Sequence, residues 1–213
     1  MIYNVLLSNG SRVNLLEYIK AKKAKGKFTV IDIGGSINGW SKDVVDAIVD
    51  IHTPMDTSNI MFFRCDITNH TDYTELMDYV TANGKFDFCI CSHTLEDIMN
   101  PVFVCDQICK VAQEGYIAFP SKYRELAPNI EGAWRGYIHH RWIFDVKYNC
   151  VIGYPKISMI ERDTFFDNIA DSDSNKADIS FYWKHHIEMS YVNNNYLGPN
   201  RDAVCGYYRN LKD

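Results

Sequence analysis

Between residues 27 and 121 short, almost wholly apolar runs alternate with longer stretches in which apolar residues recur every three or four positions. The runs are KFTVIDI (27–33), VDAIVDI (45–51), IMFFRCDI (60–67), FDFCICS (86–92) and YIAFPS (116–121). Their length and β-branched or aromatic content predict five strands. Residues 12–23 predict a helix, with Val13, Leu16, Ile19 and Lys23 at helical spacing. A second helix is predicted over 71–84, opened by Thr71 and closed by Gly84. A third is predicted over 100–115, with Pro101 near its start and Gly115 at its end. Strands that are apolar on both faces and alternate with helices imply a parallel sheet covered on both sides. From about residue 137 the pattern changes. ISFYWKHHIEMSYV (179–192) and DAVCGYYRNL (202–211) read as two long strands joined by the turn-rich NNNYLGPNR, a C-terminal antiparallel hairpin.

Neither repeats nor a low-complexity linker interrupt the chain. Its 213 residues suffice for one full core, so a single domain over 1–213 is expected: an N-terminal helix region (1–26), a first half (28–120) and a closing half (121–213). A formal net charge of −5, with one basic cluster at Lys20–Lys27, leaves no track of phosphate-neutralising side chains, so no nucleic-acid partner is expected. No window approaches 18 apolar residues, and the N-terminus lacks the basic region of a signal peptide, so no membrane association is expected. The seven cysteines show no metal-site spacing and read as reduced thiols in a cytoplasmic protein. Fourteen tyrosines suit either a core edge or the recognition of polar, flat-faced ligands.

Chemistry enters with the acids at the strand ends. Ligands of open α/β sheets bind beyond the carboxyl ends of the strands, where strand order reverses. Asp32, Asp50 and Asp66 are predicted there. Asp50 follows Asp32 at about the offset at which an acid meets a ribose hydroxyl, and a carboxylate can accept from both ribose hydroxyls at once. Asp66 could then accept from an adenine amino group. A carboxylate just before the glycine bend would repel a pyrophosphate and attract a cationic cofactor. S-Adenosylmethionine, with its sulfonium and ammonium and no phosphate, answers that description.

On VIDIGGSINGW, Asp50 in AIVDI, RCDITN and FDFCICSHTLEDIMNP the chain resembles the class I S-adenosylmethionine-dependent methyltransferases of the small-molecule or glycan O-methylating type. The last segment is similar to the S-x-x-L-E-H-x-x-D-P signature. The resemblance covers about residues 28–120. It implies a Rossmann-like α/β sheet of parallel strands with an antiparallel hairpin at its end and helices on both faces. It also implies S-adenosylmethionine as cofactor and a binding set of Asp32, Gly34, Gly35, Ser36, Asp50, Asp66, Ile67 and Ser92. Two departures stand out: Ser36 and Asn38 occupy positions usually held by glycine, and Asp97 stands where many relatives carry His. The alternatives are a methyltransferase-fold binding module without activity and a short-chain-dehydrogenase-like NAD(P) protein. For the latter, the Tyr-x-x-x-Lys spacings at Tyr18/Lys22 and Tyr208/Lys212 fall in the wrong places.

Methyl transfer is an in-line displacement, so the protein must align an acceptor and, for a hydroxyl, remove its proton. His139, His140 and His93 are the candidate bases. If YIHHRWIF (137–144) is extended, His139 shares a side with Tyr137 and Arg141, and His140 shares one with Ile138, Trp142 and Phe144. Adjacent histidines on a strand could not both reach one ion, so no metal is expected. Glu96, Glu125, Tyr137, Arg141 and Trp142 are the candidate contacts to a small-molecule or glycan acceptor.

Overall fold

The computed structural model describes every residue except 9, 11, 55–59, 170–173, 193–200 and 213. Its centre is a seven-stranded sheet in the order β1-β9-β6-β5-β2-β3-β4. Five strands run parallel: β2 (Val30–Ile33), β3 (Ala47–Asp50), β4 (Met61–Arg64), β5 (Phe86–Ser92) and β6 (Ala112–Pro120). β9 (Asp178–Lys184) pairs antiparallel with β6, and β1 (Ile2–Ser8) pairs antiparallel with β9.

The apolar runs are continuous because both faces are covered. Ile31, Ile33, Ala47, Val49, Cys89, Cys91, Ile117 and Phe119 point to one side. There they meet Leu76 of α2 (Thr74–Asn83) and Val104, Cys105, Ile108 and Val111 of α3 (Pro101–Val111). Their sequence neighbours Val30, Ile48, Phe88, Ile90, Tyr116 and Ala118 point to the other side, against α1 (Val13–Lys23). α1 presents Leu15 and Ile19, not the expected Val13, which is exposed. α3 starts as its sequence announces, with Pro101 in its first turn and Asn100 accepting from the Phe103 amide.

The expected helix over 100–115 ends four residues early. β6 begins at Ala112, and Gly115 lies inside it because a Cβ there would stand 2.3 Å from the Cys89 carbonyl oxygen. Close strand packing, not a helix cap, is what this glycine serves.

The predicted C-terminal hairpin is corrected. Residues 202–211 are helical: α5 spans Arg201–Arg209 and a 3₁₀ turn follows over Asn210–Lys212. The joining segment lies mostly outside the described residues. Residues 179–192 do not form one strand either, because the chain turns at His185, whose φ is 65°. β9 stays in the main sheet, while β10 (Met189–Tyr191) joins a second sheet in the order β10-β8-β7. The hairpin that does form is β7 (Trp142–Lys147) with β8 (Cys150–Pro155). Its two-residue turn, Tyr148–Asn149, has positive φ at both positions, the geometry that matches strand twist. A third apolar cluster, including Leu126, Ile143, Tyr154, Ile160, Phe166 and Tyr208, packs beside this sheet. α4 (Lys122–Leu126) follows β6 directly, with Ser121 capping the Arg124 amide.

Candidate functional site

β3 and β5 flank β2 on opposite sides, so strand order reverses at β2, and the cleft lies over the carboxyl ends there. One cavity of about 280 Å³ is lined by Gly34, Val49, Asp50, Ile51, Cys65, Asp66, Ile67, His93, Thr94, Asp97 and Ile98. A second of about 360 Å³ is lined by Gly35, Ser36, Ile37, Asp50, His52, Thr53, Pro54 and Phe62. Asp50 belongs to both and stands where they meet. Neither wall contains a lysine or arginine among the described residues.

The loop after β2 makes this shape. Gly34 turns the chain with φ of 76°, and a Cβ there would come within 2.4 Å of Thr94 Oγ1. Its amide donates to the Val49 carbonyl at 2.8 Å, which ties the bend to β3. A Cβ on Gly35 would strike the Asp32 carboxyl. Asp50 accepts from the His52 amide at 2.7 Å. Asp66 accepts from both the amide and the hydroxyl of Thr68, which fixes its carboxylate beside Ile67.

Asp32 takes a different place from the one its position suggested. It lies beneath the loop, buried, accepting from Ser41 Oγ, and lines neither cavity. Burial pushes its pKa from 3.8 up to about 6, against the opposing pulls of Ser41 and Arg12. A folded-state value above the unfolded one favours folding at low pH, and that contribution is lost as pH rises through about 6. Asp32→Asn is therefore expected to stabilise the protein at pH 8 by about 3 kcal/mol, a melting-point gain of roughly 6–12 °C. At pH 4 the gain should be close to nil. Melting curves at the two pH values check this, and a gain of equal size at both would refute it.

The side chains at the end of β5 and in the loop after it are arranged around His93. Its φ is 55°, and Nδ1 and Nε2 each lie 3.4 Å from a carboxylate oxygen, of Glu96 and Asp178 respectively. Burial works against its charge, but these two acids outweigh it and raise its pKa to about 9. His93 is thus a cation at neutral pH, paired at both nitrogens, and is no free base there. Glu96 is buried; burial raises its pKa and His93 pulls it back. Ser92 Oγ is buried without a hydrogen-bond partner among the described residues.

Residues 137–141 are not extended. Tyr137 begins a turn closed by the His140 amide on the Tyr137 carbonyl, and β7 starts only at Trp142. The expected opposition of the two histidines is corrected with it: their ring centroids are 4.5 Å apart. His140 is the buried one. Its Nδ1 lies 2.7 Å from Glu125 Oε1, and its Nε2 is 3.6 Å from Asp97 Oδ1. His139 is exposed, with Nε2 4.0 Å from the same Asp97 oxygen and Nδ1 3.7 Å from Glu131 Oε2. Glu125, on α4, is also held by Lys156 Nζ at 2.8 Å.

Backbone stitching brings this turn to the cleft. The Arg141 and Trp142 amides both donate to the Glu96 carbonyl; Arg141 Nε donates to the Asp97 carbonyl and Trp142 Nε1 to that of Ile98. The guanidinium of Arg141 and the indole nitrogen of Trp142 are thereby engaged with backbone, while the Tyr137 ring lies tilted against that of His140, centroids 4.7 Å apart. Asp97 and Glu131 are additions that sequence reasoning missed as site residues. Asp97 was noticed only as a departure from a signature, and Glu131 carries no signal in its neighbourhood.

The fold is that of an open α/β protein with a cleft over the carboxyl ends of its central strands. Among solved structures the chain is similar to the plantazolicin methyltransferase BpumL in complex with SAH (16% identity, TM-score 0.38). That match covers 53% of this chain and 46% of the other, so this chain spans just under half of that one's length. It is also similar to the N-terminal domain of EvdMO1 in the presence of SAH and D-fucose (9% identity, TM-score 0.41, covering 79% of this chain and 82% of the other). A third is the methyltransferase domain of bacterial-CtHen1-CN (11% identity, TM-score 0.45, covering 81% and 98%). No protein-family model and no curated protein matches the sequence.

Proposed function

We propose that the protein is an S-adenosylmethionine-dependent methyltransferase acting on a hydroxyl of a small, polyhydroxylated acceptor such as a sugar. The observation that carries this reading is the character of the cleft wall. Three carboxylates, Asp50, Asp66 and Asp97, stand among apolar Val49, Ile51, Ile67 and Ile98; no lysine or arginine is among the described lining residues, and the one cationic group there, His93, is already paired with Glu96 and Asp178. Such a wall disfavours a pyrophosphate and suits an adenosine compound whose charge is positive. Asp50 would accept from the ribose hydroxyls, with Asp66 and Ile67 on the adenine side.

The acceptor would enter over the turn at 137–140. There exposed Trp134 and half-buried Tyr137 offer ring faces, while Glu131, His139 and Asp97 offer polar groups for hydroxyls. The proton would leave toward the His139/His140 edge, since His93 already carries one. The dehydrogenase alternative finds no support at the cleft: Tyr18 bonds to Glu114, and the Tyr208 hydroxyl is buried on the Pro155 carbonyl.

Calorimetry tests the reading. One equivalent of S-adenosylmethionine per chain should bind, whereas NAD⁺ and ATP should not. Binding of either dinucleotide or nucleotide triphosphate in preference to S-adenosylmethionine would end it. Methyl transfer from labelled cofactor to a sugar acceptor would remove the inactive binding module.

A further inference from the structure

We infer that Asp97, His139 and His140 form a binding site for a divalent first-row transition metal ion, with open coordination positions, at the edge of the cofactor cavity. One oxygen or nitrogen from each residue lies within 4.8 Å of the others. In a metal complex with bonds of about 2.1 Å, tetrahedral donors stand about 3.4 Å apart. The 3.6 Å and 4.0 Å separations from Asp97 Oδ1 to the two Nε2 atoms therefore need only a small side-chain closure.

A second, independent observation lies behind the donors. Metal-bound histidines characteristically give their other nitrogen to a carboxylate, which fixes ring and tautomer. His140 is backed in that way, and a second carboxylate, which accepts from the Ile138 amide, stands near His139. Glu125 Oε1 lies 2.7 Å from His140 Nδ1, and Glu131 Oε2 lies 3.7 Å from His139 Nδ1. Glu125, bound by Lys156, accepts from His140 Nδ1, which leaves Nε2 as the nitrogen that faces Asp97. Asp97 is itself positioned, because its carbonyl accepts from Arg141 Nε at 2.9 Å.

Two imidazoles and one carboxylate suit zinc, manganese, iron or cobalt better than magnesium or calcium, which favour all-oxygen sets. Three protein ligands leave at least one position for a water or a hydroxyl. Asp97 also lines the cavity, so that position borders the place where the acceptor would meet the cofactor. A hydroxyl bound there would be acidified by the ion. This consequence rests on the methyltransferase reading; the metal site does not.

The test uses the full chain, stripped with a chelator and titrated with Co²⁺ while visible absorption is followed. Wild type should take up one equivalent with ligand-field bands of a nitrogen–oxygen site. Asp97→Ala and His139→Ala, both on the exposed side of the cluster and expected to fold, should each weaken uptake at least tenfold. His186→Ala, which alters the exposed His186/Glu188 pair elsewhere, should leave it unchanged. No bands in wild type, or bands retained in Asp97→Ala and His139→Ala, would overturn the proposal. Calorimetry of the same samples with S-adenosylmethionine separates the two ideas, since Co²⁺ uptake without cofactor binding would leave the metal site standing and remove the methyltransferase.

Discussion

Lys156→Met should destabilise the protein by about 3–5 kcal/mol, the cost of removing one partner from a buried ion pair. The Lys156 ammonium is almost wholly enclosed and donates three bonds: to Glu125 Oε2 at 2.8 Å, the Arg135 carbonyl at 2.9 Å and the Tyr137 carbonyl at 2.7 Å. Methionine fills much of the stem's volume but offers none of them. Among the described residues Glu125 would then keep His140 as its side-chain partner, the Arg135 carbonyl would lose the Lys156 donor, and the Tyr137 carbonyl would keep the His140 amide. Urea denaturation of the two proteins measures the difference. The double variant Lys156→Met/Glu125→Leu should recover part of the loss, because it no longer buries an unpaired charge. A single-variant loss under about 1 kcal/mol would show that water reaches these carbonyls and that the turn is not pinned from beneath.

Asp50→Ala should weaken S-adenosylmethionine binding by about 100-fold or more while leaving the unliganded protein's melting temperature nearly unchanged. A charge-assisted hydrogen bond contributes about 1.5–3 kcal/mol, and a carboxylate facing a ribose diol makes two. Within the protein, by contrast, Asp50 accepts one bond, from the His52 amide at a half-buried position, so its removal costs the fold little. Asp50→Asn should fall between the two, since an amide keeps one acceptor oxygen. Calorimetry on the three proteins gives the order, and wild-type affinity in Asp50→Ala would sink the assignment of this acid to the ribose.

The central sheet was legible because burial on both faces writes itself as uninterrupted apolar runs, and FDFCICS is a strand over its whole length. The failures have local causes. β1 went unread because most of its side chains are exposed and its pairing partner is about 170 residues away. DAVCGYYRNL carries strand-type residues but folds as a helix, with Tyr208 and Leu211 buried in the third cluster, a tertiary preference overriding a weak local one. The β7/β8 hairpin was hidden because its turn is Tyr148–Asn149 and lacks the glycine that usually marks one.

At the site, Asp50, which ends β3, and Asp66, just past the end of β4, follow from strand prediction, and both line the cleft. Asp32 has the same sequence credentials yet lies beneath the loop, because Ser41, nine residues on, claims its carboxylate. Period-two reasoning placed His139 and His140 on opposite sides. It failed because the turn ends only at residue 141, a boundary set by hydrogen bonds to Glu96 and Ile98, over forty residues away.

β9 lies between β6 and β1, and this order has a consequence for biogenesis. As the nascent chain leaves the ribosome, β1 comes first but waits for residues 178–184, on the order of ten seconds at ordinary elongation rates. Over that interval both β1 and the open side of β6 are unmated strands that invite wrong pairing. Strands β2 to β5, which carry the cleft, can dock before then, whereas Asp178, which holds His93, arrives with the closing strand. Translation thus delivers the pocket before its histidine is locked.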